Sequence, residues 1–193
     1  MNWQSRTELL VGKEGLEKLH KAHVLVAGLG GVGSYAAEML ARAGVGEMTI
    51  IDGDKVAESN INRQLPALHS TIGREKAEVV AARLRDINPD ITLHVLSEYI
   101  RDERMIEILK MHRYSYVVDA IDTLSPKIFL IYHSLKENLK IVCSMGAGGK
   151  FDPTKIQIAD ISKSYNCSLA KLIRKRLHKL GVRKGATVVF SPE

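Results

Sequence analysis

The chain holds two cysteines, Cys143 and Cys167, and no CxxC pair in its 193 residues. Two thiols cannot build a disulfide framework, and without paired CxxC there is no thiolate zinc site. A reduced, cytoplasmic setting is expected. No apolar run approaches the ~20 residues that span a bilayer. The opening Met-Asn-Trp-Gln-Ser-Arg lacks the basic-then-apolar order of a signal peptide, so membrane insertion is not expected. Aromatic residues make up 5% of the chain, too few for nucleic-acid recognition built mainly on base stacking. The seven histidines show no metal-ligand spacing and read as core or surface residues. Repeats and Pro/Gly/Ser-rich linkers are absent too, leaving one domain of ordinary α/β size.

What is present begins with segregated charge. The net charge is +6, yet residues 163–193 carry eight Lys/Arg against Glu193 alone. The excess therefore sits in one short segment around Lys171, Arg174, Lys175, Arg176 and Lys179. Such a segment fits either a polyanion partner or a solvated helix face.

Hydrophobic periodicity gives a βα alternation. Residues 1–20 read as a helical arm with Leu9, Leu10, Leu16 and Leu19 as an apolar stripe, and residues 21–193 as the main domain. Strands are expected at His23–Ala27, Met48–Ile51, Thr92–Leu96, Tyr116–Ala120 and Ile141–Ser144. Helices are expected at Gly33–Ala43, Gly73–Ile87, Asp102–Met111 and from Pro126 to about Lys136. This predicts a Rossmann-like, doubly wound α/β fold with a mostly parallel sheet. A mixed C-terminal extension follows: a strand near Ile156, Ile158 and Ile161, a basic helix at Ser168–Leu180, and a strand at Thr187–Phe190. A strand standing at the very end suggests a natural chain that runs further.

Gly28-Leu29-Gly30-Gly31-Val32-Gly33 fits G-x-G-x-x-G between a strand and a helix. Glycines there allow a tight turn and bring backbone N–H groups against a phosphate at the helix N-terminus. Asp52 closes the next strand, where an acid binds ribose hydroxyls. To this point a dinucleotide is the default ligand. The segment from Asp52 to Gln64 argues otherwise, because Asp54, Asn60, Arg63 and Gln64 crowd it with phosphate- and metal-binding groups. A hydride carrier keeps its pyrophosphate intact and needs no converging cations. An enzyme that breaks the α–β bond of ATP does need them, to neutralise charge on leaving pyrophosphate. Arg63 and Lys76 are the candidates, while Asp122, just past a strand end, suits Mg²⁺.

The combination GxGGxG, DxDxV, SNxNRQ and DAID resembles the MoeB/ThiF/HesA family, bacterial relatives of ubiquitin-activating enzymes, across most of the chain. The resemblance implies ATP- and Mg²⁺-dependent adenylation of a carboxylate. It places ribose at Asp52, phosphates at the loop of Gly28, Gly30, Gly31 and Gly33, and triphosphate contacts at Asn60, Arg63, Gln64 and Lys76. Asp122 holds the magnesium on this reading, and Arg6 reaches into a partner subunit, which implies a homodimer. Arg6 alternatively stays a solvated arm residue, and Asp54 and Gln64 alternatively only brace the loop.

Two substrates fit. One is the C-terminus of a ubiquitin-like sulfur carrier; the other is the threonyl carboxylate of threonylcarbamoyladenosine in tRNA. The stretches SMGAGGKFDPT at Ser144–Thr154 and DAIDTLSPK at Asp119–Lys127 resemble the family's tRNA-modifying branch. The missing CxxC pairs and the basic segment point the same way. That branch implies adenylation, then ring closure by the modification's own carbamoyl group with net loss of water, and a cysteine-desulfurase or sulfur-acceptor partner. A nucleotide-binding protein without chemistry is the remaining alternative. Cys143 reads as core, and Cys167 as near the surface with nothing around it to supply a base.

Overall fold

The computed structural model describes residues 3–193. In chain order the elements are α1 (Ser5–His20), β1 (His23–Ala27), α2 (Gly33–Ala43), β2 (Glu47–Ile51), α3 (Lys76–Ile87), β3 (Thr92–Leu96) and α4 (Asp102–Met111). There follow β4 (Tyr116–Asp119), α5 (Leu124–Lys136), β5 (Ile141–Ser144), β6 (Gln157–Asp160), α6 (Ser168–Lys179) and β7 (Thr187–Phe190). The strands form one seven-stranded sheet in the order β3-β2-β1-β4-β5-β7-β6. Every neighbouring pair is parallel except β6 against β7.

The sequence of β1, HVLVA, is buried along its whole length, as expected of a strand covered on both faces. Its side chains alternate between two cores. Val24 and Val26 pack with Ala37 and Ala41 of α2 and Val80 and Leu84 of α3. Leu25 and Ala27 join Met105 and Leu109 of α4, Ile131 of α5, and Ile173 and Leu177 of α6. Two helical layers thus sandwich the sheet. Strand order reverses between β1 and β4, and this switch point opens a crevice at their carboxyl ends.

One ion pair is sealed inside this frame. Lys127 Nζ lies 2.9 Å from Asp119 Oδ2, and both side chains are fully buried. Lys127 also donates to the Ile121 carbonyl at 2.9 Å, and Asp119 Oδ1 accepts from the Ile121 N–H at 3.1 Å. The pair staples the end of β4 to the first turns of α5. Burial pushes the Asp119 carboxyl above its ordinary range against the pull of Lys127.

Several expectations shift. α3 begins at Lys76 rather than Gly73, because residues 73–75 run alongside the loop after β2. Val56 N–H donates to the Arg74 carbonyl at 2.9 Å, and Lys55 bridges Glu75. Ile161 lies past the end of β6, in a single helical turn. Cys167 is buried, not near the surface, since it leads into α6 where that helix packs on α5. Arg174 is no free cation: its guanidinium donates to the Ser164 carbonyl at 2.7 Å and to the Ser164 hydroxyl. Three of the histidines are brought together, His23 of β1 and His94 of β3 across β2, with His112 from the segment after α4 beside them. α1, broken at Gly12, buries no residue and leaves Leu9 and Leu10 exposed. Among the described residues no helix is long and apolar enough to cross a membrane.

Breaking the buried pair strands a charge. Asp119→Ala is expected to lower unfolding free energy by about 3–5 kcal/mol. Urea denaturation of Asp119→Leu combined with Lys127→Met should show a smaller loss than Asp119→Ala alone.

Candidate functional site

A cavity of about 530 Å³ opens at the carboxyl ends of β1, β2 and β4. Its floor is the turn from β1 into α2. Gly28 has φ +85, and a Cβ there would stand 2.8 Å from the Ala120 carbonyl oxygen. A Cβ on Gly33 would stand 1.8 Å from the Gly28 carbonyl oxygen, so only glycine lets α2 begin over the strand end. No side chain caps α2, and its first turn contains no acid. The Ser34 N–H is taken by the Gly30 carbonyl at 3.2 Å, and the positive dipole end of the helix is left for an anion.

Asp52, at the end of β2, anchors that turn. Its Oδ2 accepts from the Leu29 N–H at 2.7 Å, and its Oδ1 from the Asp54 N–H at 2.9 Å. Lys76, in the first turn of α3, is 3% exposed. Its ammonium lies 3.1 Å from Asp54 Oδ2 and 3.5 Å from Asp52 Oδ1. A nearly buried ammonium needs such partners, since an unpaired one would shed its proton. Tyr99, after β3, donates from its hydroxyl to Asp54 Oδ1 at 2.6 Å, and this bond holds the Asp54 carboxyl below its ordinary range. Asp54 thus braces the loop, one of the two roles its sequence left open.

Gly28, Gly30, Asp52, Asp54, Gln64, Lys76 and Asp122 all line the cavity. Asp122 is exposed, at the lip beyond β4. Gln64 Oε1 is buried without a hydrogen-bond partner. Arg63 lies beside the cavity: its stem passes over Gly31, but its guanidinium turns to the Ser59 carbonyl at 3.0 Å and Asn62 Oδ1 at 2.9 Å. Asn60 Oδ1 accepts from the Ala57 N–H at 3.1 Å, capping its own turn. Arg6 sits on exposed α1, in a shallow depression with Ser5, Glu8, Leu9 and Lys13, apart from the cavity. Sequence reasoning missed Tyr99, Arg101 and Phe129, which form the opposite wall. Their signal was available: Tyr99 and Arg101 directly follow a strand end, where open α/β sheets bind ligands.

The chain matches the ThiF family over residues 4–190. It is 47% identical to a Bacillus subtilis (strain 168) protein named tRNA threonylcarbamoyladenosine dehydratase, over 98% of this chain and 74% of that one. The crystal structure of the Escherichia coli tRNA N6-threonylcarbamoyladenosine dehydratase in complex with ATP superimposes with a TM-score of 0.94 at 41% identity. That alignment covers 99% of this chain and 82% of the other. A Salmonella typhimurium molybdopterin-synthase adenylyltransferase is 41% identical, but over only 58% of this chain and 44% of that one.

The Tyr99 contact generates a titration prediction. In Tyr99→Phe the Asp54 carboxyl should titrate at higher pH than in the parent, moving toward its ordinary value. Carbon-detected NMR of the side-chain carboxyl reads this directly, and an unmoved titration would remove Tyr99 from the network.

Proposed function

The chain belongs to the ThiF family, and we propose from that premise that it is an ATP-dependent tRNA-modifying enzyme. It adenylates the threonyl carboxylate of threonylcarbamoyladenosine and closes that group into a ring with net loss of water. One observation carries the reading. The glycine turn, Asp52 and Lys76 surround a single cavity at the switch point of a chain that follows the E. coli dehydratase fold along nearly its whole length.

ATP is the co-substrate. Its ribose hydroxyls donate to Asp52, which keeps lone pairs free beyond its two backbone bonds. The triphosphate runs over the N-terminus of α2 toward Lys76. Before it binds, Lys76 is neutralised by Asp52 and Asp54; as it binds, Tyr99 keeps Asp54 in place while the ammonium turns to phosphate. Arg63 exchanges two exposed hydrogen bonds for the triphosphate. Asp122, an exposed carboxylate on the lip, offers the hard oxygen that suits Mg²⁺, which when bound neutralises charge on the leaving pyrophosphate.

The substrate carboxylate attacks the α-phosphorus and pyrophosphate departs. The carbamoyl group of the same modified base then attacks the acyl carbon and AMP departs. Closure is intramolecular, so holding the two groups in contact provides much of the rate. No protein nucleophile is needed, and both cysteines are buried.

The tRNA backbone lies along α6, where Lys171, Lys175, Arg176 and Lys179 are exposed. The exposed Leu9 and Leu10 of α1 pack on a second copy, so that Arg6 completes the partner's site in a homodimer. The enzyme works in the cytoplasm, where its tRNA substrate is.

The test is ATP consumption with unmodified tRNA, threonylcarbamoylated tRNA and a ubiquitin-like sulfur carrier offered separately. AMP and pyrophosphate are expected only with threonylcarbamoylated tRNA, and turnover with the carrier alone would overturn the reading. Asp122→Ala and Lys76→Ala should each cut pyrophosphate release at least ~100-fold. Replacing Lys175 and Arg176 together by alanine should weaken tRNA binding and flatten its dependence on salt by roughly one to two charge units.

A further inference from the structure

The far end of the sheet carries a second constellation. Parallel pairing sets His23, the first residue of β1, in register with Glu47, the first of β2, and Thr49 of β2 with His94 of β3. Because side chains alternate, all four project from the same face. Glu47 Oε1 lies 2.8 Å from His94 Nε2 and 3.4 Å from His23 Nδ1. The three ligating atoms lie within 4.8 Å of one another. The His112 ring completes the group, with its centroid 4.3 Å from that of His94 and 4.9 Å from that of His23.

Thr49 Oγ1 lies 2.9 Å from His23 Nε2. With the ring proton on Nε2 and donated to that oxygen, His23 Nδ1 presents its lone pair on the side of the Glu47 carboxylate, the arrangement a metal ligand requires.

We propose that His23 Nδ1, His94 Nε2 and the Glu47 carboxylate bind a divalent transition-metal ion of the zinc type, with water as the fourth ligand. Two imidazoles and a carboxylate form an N/O set that suits zinc and its neighbours and disfavours Mg²⁺ and Ca²⁺. Bonds of ~2 Å put ligand atoms of a tetrahedral site roughly 3.3 Å apart. The 2.8 and 3.4 Å separations bracket that value, and the partly exposed His94 can adjust the remaining edge, from its own ring to His23. Thr49, accepting from His23 Nε2, holds the His23 ring in the required tautomer, the service an outer partner gives a metal-binding histidine. His23 is buried while Glu47 and His94 are partly open, so an ion enters from solvent. Bound there, it ties β1, β2 and β3 together at the end of the sheet away from the nucleotide cavity.

The test uses the full chain, stripped with a chelator and then titrated with Zn²⁺, and separately with Co²⁺. One Zn²⁺ per chain is expected, with micromolar or tighter affinity, a melting temperature raised by several degrees, and a four-coordinate visible spectrum for the Co²⁺ form. Glu47→Gln and His94→Gln should each weaken Zn²⁺ binding at least tenfold, and Thr49→Val about tenfold through loss of ring orientation. Melting of the stripped variants reports whether they fold. Mg²⁺ should give no shift. Absence of Zn²⁺ binding at 100-micromolar metal, or affinity unchanged in both Glu47→Gln and His94→Gln, would overturn the proposal.

Discussion

The Asp52 carboxylate is the point from which the nucleotide end of this molecule is built. One oxygen holds the Leu29 N–H at 2.7 Å and so fixes the glycine turn to the end of β2. The other holds the Asp54 N–H and stands 3.5 Å from the Lys76 ammonium at the start of α3. Three separate segments therefore meet at one side chain. Leu29 is fully buried, so its N–H has no access to water and depends on this acceptor. Lys76 depends on it in a second way, because an ammonium that is 3% exposed is tolerable only beside anions. Structure and charge are here one problem, solved by the same two oxygens.

A parallel sheet has two chemically distinct ends, and this one uses both. At the carboxyl ends the chain turns into helix N-termini, so unpaired N–H groups and positive dipole ends gather there and select for anions. At the amino ends the strands begin together in register, so side chains from β1 and β2 come side by side without any loop to arrange them. The buried Asp119–Lys127 pair lies at the carboxyl end of β4, where it fixes the wall carrying Ile121 and Asp122. Its burial is unfavourable to each charge alone, and the reward is a defined path for the backbone that leads to the lip of the cavity.

What could be read from the sequence follows the distance between partners. The glycine turn, Asp52 and the succession of strands and helices are local patterns, and each was legible because strand, loop and helix are adjacent in the chain. The Asp54–Tyr99 and Asp119–Lys127 contacts were not, although a lone acid inside the apolar run YVVDA hinted that Asp119 needed a partner. His23 and His94 meet only because β2 lies between their strands in one register, which no spacing rule contains. The start of α3 failed for a related reason. Gly73 looks like a helix boundary, but Arg74 and Glu75 are tied to the loop around Val56 instead. Cys167 likewise took its burial from α6 folding back on α5, a tertiary event.

The same distinction bears on how ATP would be gripped. Lys76 and Asp52 are already held beside the cavity, Asp52 by two backbone N–H groups and Lys76 by Asp52 and Asp54, so only the Lys76 ammonium has to turn. Arg63 and Asn60 instead satisfy one another's turn: the Arg63 guanidinium is exposed on the Ser59 carbonyl, and Asn60 caps Ala57. Releasing Arg63 costs little, because water replaces it on an exposed carbonyl. Releasing Asn60 uncaps the turn that carries Arg63. On the proposed reading the two residues differ in what they can do during a reaction: Arg63 would be free to follow charge from ground state to leaving pyrophosphate, whereas Asn60 would serve best by staying where it is. An arginine that moves onto developing charge favours the transition state over the bound substrate, which is the condition for raising a rate rather than only an affinity.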